Sequence, residues 1–245
     1  MTETATPTIL ALDAAAGACS AALFAAGGVH RREWAAMARG HAQALMPMIT
    51  SVMADHDYAN LDAIAVTIGP GAYTGLRIGV ATARGLALAA QLPVIGVGSF
   101  KAIARGARAA GTPAGAMLVL LETKRADLYA QSFDTGLEAT SEPICLEPDA
   151  IAETFASLWT AGEPVIIAGD AAPRLLEVLP EDYRMIVAAG DGLADAAIVA
   201  AEAADILLAD PAVRDAPLPR PLYLRPPDVS PPTADRHRWR RETGS

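Results

Sequence analysis

The sequence predicts an α/β fold, and three observations carry the prediction. The first 36 residues hold three short apolar runs joined by tight-turn residues. After them, helical and strand-like periods alternate. Finally, Gly69-Pro-Gly-Ala-Tyr-Thr-Gly75 links a buried-looking strand to an Ala-rich helix through a loop with three glycines. Short strands alternating with helices favour layers of helix on sheet.

The elements follow in order. Ile9-Leu-Ala-Leu-Asp13 is an apolar strand ending in a carboxylate, followed by a small-residue turn, Ala14 to Gly17. Cys19 to Phe24 is the second strand and Gly27-Gly28 the next turn; Val29 to Trp34 alternates apolar and charged residues, as an edge strand does. His41 to Asp55 is a helix that is apolar nearly all round (Leu45, Met46, Met48, Ile49, Val52, Met53) and so needs cover on two sides. Ala63 to Ile68 is a strand, Leu76 to Ala90 a helix, and Val94 to Val97 a strand. Ser99 is the expected N-cap of a helix through Arg108. Beyond Gly111-Thr-Pro-Ala-Gly115, strands are expected at Met117 to Leu121, Leu128 to Phe133 and Val165 to Ala168. Helices are expected at Pro148 to Trp159 and Ala194 to Ala209. No internal tandem repeat is visible. The expected division is a first lobe over 1–110, a smaller one over 111–210, and a proline-rich, basic tail over 211–245.

Composition narrows the function. Of the 245 residues 52% are hydrophobic, ample for a core. The net charge of −9 argues against a stand-alone nucleic-acid binder, because phosphate contacts need Lys and Arg. The four arginines at 236, 238, 240 and 241, beside Trp239, read as a solvated terminus, with a nucleic-acid contact as the alternative. Cys19 and Cys145 are far apart and lack metal-ligand spacing, which fits two buried thiols in a reducing cytoplasm. There is no secretory n-region, and no apolar stretch of spanning length.

A strand–glycine loop–helix unit is a candidate phosphate cradle, with Asp13, Gly69, Gly71 and Thr74 as its residues. It lacks the Lys-Ser/Thr ending of a P-loop, since Leu76-Arg77 follow Gly75. A dinucleotide site would need an acid after the next strand, and Gly96-Val-Gly-Ser99 offers none. Tyr73 occupies the position a hydrolase elbow gives to serine, so nucleophilic catalysis is not supported. His41 opens a helix, but Leu45 stands where a second metal ligand would be. Asp13 and Asp170 read as turn-capping acids, with phosphate chemistry as the alternative. The stronger signal is apolar: Leu45, Met46, Ile49 and Met53 on one helix, and Gly75, Gly79 and Ala83 (with Ala87) spaced four apart on the other, form a candidate partner interface.

Several of these residues resemble one family. Ile9-Leu-Ala-Leu-Asp13 with Cys19-Ser20, His41-Ala-Gln-x-Leu45-x-Pro47 and above all Gly69-Pro-Gly-Ala-Tyr-Thr-Gly-Leu-Arg-Ile-Gly79 are similar to TsaB (YeaZ) proteins. Gly169-Asp170 and Pro221-Leu-Tyr-Leu-Arg225 match more weakly, and Ala72-Tyr73 replaces the family's Ser-Phe. The resemblance implies an actin-like ATPase (ASKHA) fold with two ribonuclease-H-like lobes, the second reduced. It implies a non-catalytic cytoplasmic subunit for threonylcarbamoylation of tRNA adenosine. That subunit would pair with the paralogous transferase TsaD, help recruit the ATPase TsaE, meet tRNA indirectly and homodimerise when isolated. With Leu45 in place of a ligand histidine, no metal is implied; nor is a cofactor, ATP or ADP at the partner interface being the alternative. The competing function is an independent ATP-binding enzyme of the same fold, or a peptidase.

Overall fold

A computed structural model describes residues 6–160 and 162–225. The first sheet has the order β3-β2-β1-β4-β5, from β1 (Ile9–Asp13), β2 (Ala18–Ala25), β3 (Gly28–Ala36), β4 (Ala63–Gly69) and β5 (Val94–Gly98). The β1–β2 and β2–β3 pairs are antiparallel, whereas β1–β4 and β4–β5 are parallel. Alternation along β1 sorts its side chains onto two faces. Leu10 and Leu12 pack in one cluster with residues of α1 (His41–Val52) and α2 (Tyr73–Ala90), while Ile9 and Ala11 pack in another with α3 (Ser99–Ala109) and α7 (Ala196–Ala209).

The second sheet is β10-β9-β6-β7-β8, from β6 (Met117–Glu122), β7 (Leu128–Phe133), β8 (Ile144–Leu146), β9 (Val165–Ala168) and β10 (Met185–Val187). Reversed, this is the strand order of the first sheet, with the same mixture of antiparallel and parallel pairs. The helices match too. α4 (Pro148–Thr154) and α5 (Ala156–Thr160) stand where α1 does, α6 (Ala172–Leu176) where α2 does, and α7 where α3 does. The chain is therefore a topological duplication of a β-β-β-α-β-α-β-α unit, although no repeat is legible in the sequence. The second copy is the reduced one, with three-residue edge strands and a short α6.

Several expected boundaries move. α1 ends at Val52, and Asp55 lies beyond it. α2 starts at Tyr73, with Gly75 already helical. Ser99 is the first helical residue of α3 rather than its cap, which is Gly98, and its hydroxyl is buried without a partner. The single helix expected over 148–159 breaks at Phe155, whose ring turns into the second lobe's core. α7 begins at Ala196, capped by Asp195, which accepts from the Ala197 amide at 2.8 Å. Although it follows the second sheet in sequence, α7 packs on β1, β2 and β4 of the first. Cys19 is buried as expected, but Cys145 is only half-buried. Among the described residues no helix is long and apolar enough to cross a membrane.

Candidate functional site

The carboxyl ends of β1 and β4 and the N-termini of α1, α2 and α3 converge on a cleft of about 760 Å³. Its opposite wall is the β6–β7 turn, Glu122 to Arg125, with Asp170 at the end of β9.

The glycine loop folds against the chain itself. The Ala72 amide donates to the Ala15 carbonyl at 2.7 Å. A Cβ on Gly71 would stand 2.3 Å from the Ala15 oxygen, and one on Gly75 would stand 2.0 Å from the Ala14 oxygen. These two glycines let the start of α2 touch the β1–β2 turn backbone to backbone, a contact any side chain would block. The turn is held from the other side as well: the Met37 amide donates to Gly17 at 2.9 Å and His41 Nε2 donates to the Ala16 carbonyl at 3.0 Å. Of the four candidate phosphate residues, Gly71 and Thr74 line the cleft. Asp13 and Gly69 do not: Asp13 is 1% exposed behind the turn, and Gly69 backs onto Leu222.

Asp13 is the most perturbed acid. Burial raises its pKa from 3.8 to about 7. The Ala15 amide at 3.3 Å and the nearby Thr67 hydroxyl favour the anion, although the hydroxyl does not reach full hydrogen-bond geometry. Asp195, engaged with Arg32 at 2.5 Å, adds a like charge. Burial and the Asp13 charge together push the Cys19 thiol up to about 11, which leaves it an inert core group. Asp170 is also raised by burial, while accepting from the Glu122 amide at 2.9 Å; it ties the ends of β6 and β9 together. Glu122 in turn pairs with Arg174 at 3.1 Å.

The candidate interface separates into two groups. Leu45, Ile49, Met53, Gly75, Gly79 and Ala83 are buried within the chain. A Cβ on Gly79 would meet Val66 at 3.4 Å, so this small-residue stripe docks α2 onto its own sheet. Met46 alone of the seven is exposed, at 44%. A second stripe of small residues, Ala81, Gly85 and Ala89, faces outward two positions further round α2, and nothing lies within 4 Å of a Cβ on Gly85. Sequence reading missed this stripe. It also missed the cations lining the cleft, Arg39, Lys124, Arg125 and Arg225. The polar five-residue stretch 123–127 between two strands was the available signal; Lys124 stands there at φ +61°. Among the described residues no three His, Cys, Asp or Glu side chains group as metal ligands. The four tail arginines, 236 to 241, lie outside the described residues.

Two lobes of one topology around a shared cleft define an actin-like ATPase fold. The family model of TsaD, tRNA N6-adenosine threonylcarbamoyltransferase, matches residues 21–163, more than half of the chain. The chain belongs to this family, and the proteins it is similar to include TsaB (YeaZ) proteins. It is 41% identical over 101 residues to the Escherichia coli tRNA threonylcarbamoyladenosine biosynthesis protein TsaB, a match covering 40% of this chain and 43% of that protein. It is 31% identical over 233 residues to an uncharacterised Mycobacterium leprae protein, covering 93% of this chain and 57% of that one. The chain thus spans about half the length of these curated relatives. A solved YeaZ from Pseudomonas aeruginosa superposes with a TM-score of 0.71 at 27% identity, over 83% of this chain and 92% of that one. A second structure, described as similar to peptidase YEAZ from the same organism, gives 0.74 at 27% identity, over 89% and 100%.

Proposed function

We propose that this chain is a cytoplasmic, non-catalytic subunit for threonylcarbamoylation of tRNA adenosine. It works by docking to a TsaD-type transferase through the outward faces of α1 and α2. The TsaB relatives support the pathway. The observation that carries the docking role is the exposure of Met46 on α1 and of the small-residue stripe Ala81, Gly85 and Ala89 on α2. A small-residue helix face lets a second helix approach closely, and methionine adapts to its side chains. The same face would serve a homodimer of the isolated chain. TsaE and tRNA would then be met through the assembled complex, consistent with the chain's net charge of −9.

Co-purification with the transferase tests this. Met46→Glu and Gly85→Arg should each abolish co-elution while leaving the fold intact; unchanged co-elution of both variants would refute the interface.

The cleft favours a second reading. Arg39, Lys124 and Arg125 line it together with three helix N-termini, a setting that suits a phosphate ester such as ATP or ADP. In the nucleotide-binding reading these side chains would hold the phosphates, and the nucleotide would supply the phosphoryl chemistry. Titration calorimetry of the isolated chain with ATP and Mg²⁺ separates the readings: tight binding with turnover favours an enzyme, and its absence favours the docking subunit.

A further inference from the structure

The Pro221-Leu-Tyr-Leu-Arg225 motif has no place in the docking role, yet the fold is shaped around it. Residues 217–225 have no helix or strand, and they lie across the first lobe. The Arg84 guanidinium donates to the Pro219 carbonyl at 2.6 Å, and the Leu222 amide donates to the Ile68 carbonyl at 2.7 Å. The Tyr223 ring lies 5.1 Å from that of Tyr73, and its hydroxyl accepts from Arg77 Nε at 3.3 Å. Two glycines make the seat. A Cβ on Gly96 would stand 2.8 Å from Pro219 Cβ, and one on Gly69 would stand 2.8 Å from the Leu222 oxygen. Proline fixes φ in the segment, so less conformational entropy is lost when it lies down.

All of these anchors belong to the first lobe. The last one does not: Arg225 forms an ion pair with Asp127, at the start of β7 in the second lobe. Asp127 is 8% exposed and pre-set, accepting from the Thr123 hydroxyl at 2.8 Å and the Cys145 thiol at 3.2 Å. The turn that it anchors carries Thr123, Lys124 and Arg125 into the cleft. We propose that residues 217–225 are a strap that sets how far the cleft opens, with Arg225–Asp127 as its latch.

Hydrogen exchange on the full chain tests it. Arg225→Ala should speed exchange at the Leu222 amide and across residues 123–127 together, by about tenfold, with the amides of β1 and β4 unchanged. Arg225→Lys should restore part of the protection. Asp127→Asn should give the same pattern, and the double variant should add little to either single one. Solution scattering should show a larger radius of gyration for Arg225→Ala. Unchanged exchange across 123–127 would overturn the proposal, whether or not Leu222 loosens, because the two lobes would then not be coupled through the strap. Full additivity of the two single variants would overturn it as well.

Discussion

Gly75 and Gly85 lie on the same helix and are there for different reasons. Gly75 is needed because a Cβ would sit 2.0 Å from the Ala14 carbonyl oxygen; Gly85 faces open space. Gly75→Ala should therefore cost about 3 kcal/mol or more, whereas Gly85→Ala should stabilise the chain by up to about 1 kcal/mol through helix propensity. Thermal unfolding of the two variants checks both. Asp13 offers a pH test. Its folded pKa of about 7 lies above the unfolded 3.8, so the folded state holds a proton that the unfolded chain has released. Stability should thus fall as pH rises through that window and level off above it. Asp13→Asn should flatten the slope, as read by urea unfolding at about pH 5 and about pH 8; an unchanged slope would mean that Asp13 is not its source. These residues were visible in the sequence as chemistry, but their roles were not. Three glycines near an acid look like a phosphate cradle, and only the distances show that Gly71 and Gly75 seat the β1–β2 turn.

At the scale of elements, the first lobe was legible because its strands run five to nine residues and its helices eleven to eighteen, long enough for a period to repeat. The second lobe was less so. β8 and β10 are three residues each, too short to show alternation. α2 misled in an instructive way. It carries two stripes of small residues, offset by two positions, and periodicity cannot tell the inner stripe from the outer when both are Gly and Ala. Burial does: Gly79 and Ala83 face the sheet, while Ala81 and Gly85 face out. On α1 the same contrast holds between Leu45, 1% exposed, and Met46, 44% exposed. Leu45→Glu should cost upwards of about 4 kcal/mol and leave little folded protein. Met46→Glu should move the melting temperature by no more than a few degrees. Circular dichroism melts distinguish the two, and equal destabilisation would contradict the assignment of faces.

At the scale of the molecule, the duplication is what the sequence concealed. The two halves share strand order and helix placement while differing in residues, because a sheet core asks only for apolar side chains at alternate positions. α3 and α7, the matching last helices of the two units, pack together within the largest apolar cluster, which draws on both sheets. The cleft between the lobes is a consequence of that pairing, and its cations come from loops that no period marks. The docking role predicts that the chain acts only in company. The most direct test is reconstitution of threonylcarbamoyladenosine in tRNA by the TsaD-type transferase, with and without this chain. Modification should depend on the chain and be lost with Met46→Glu or Gly85→Arg. Full modification without the chain, or undiminished modification with both variants, would contradict it.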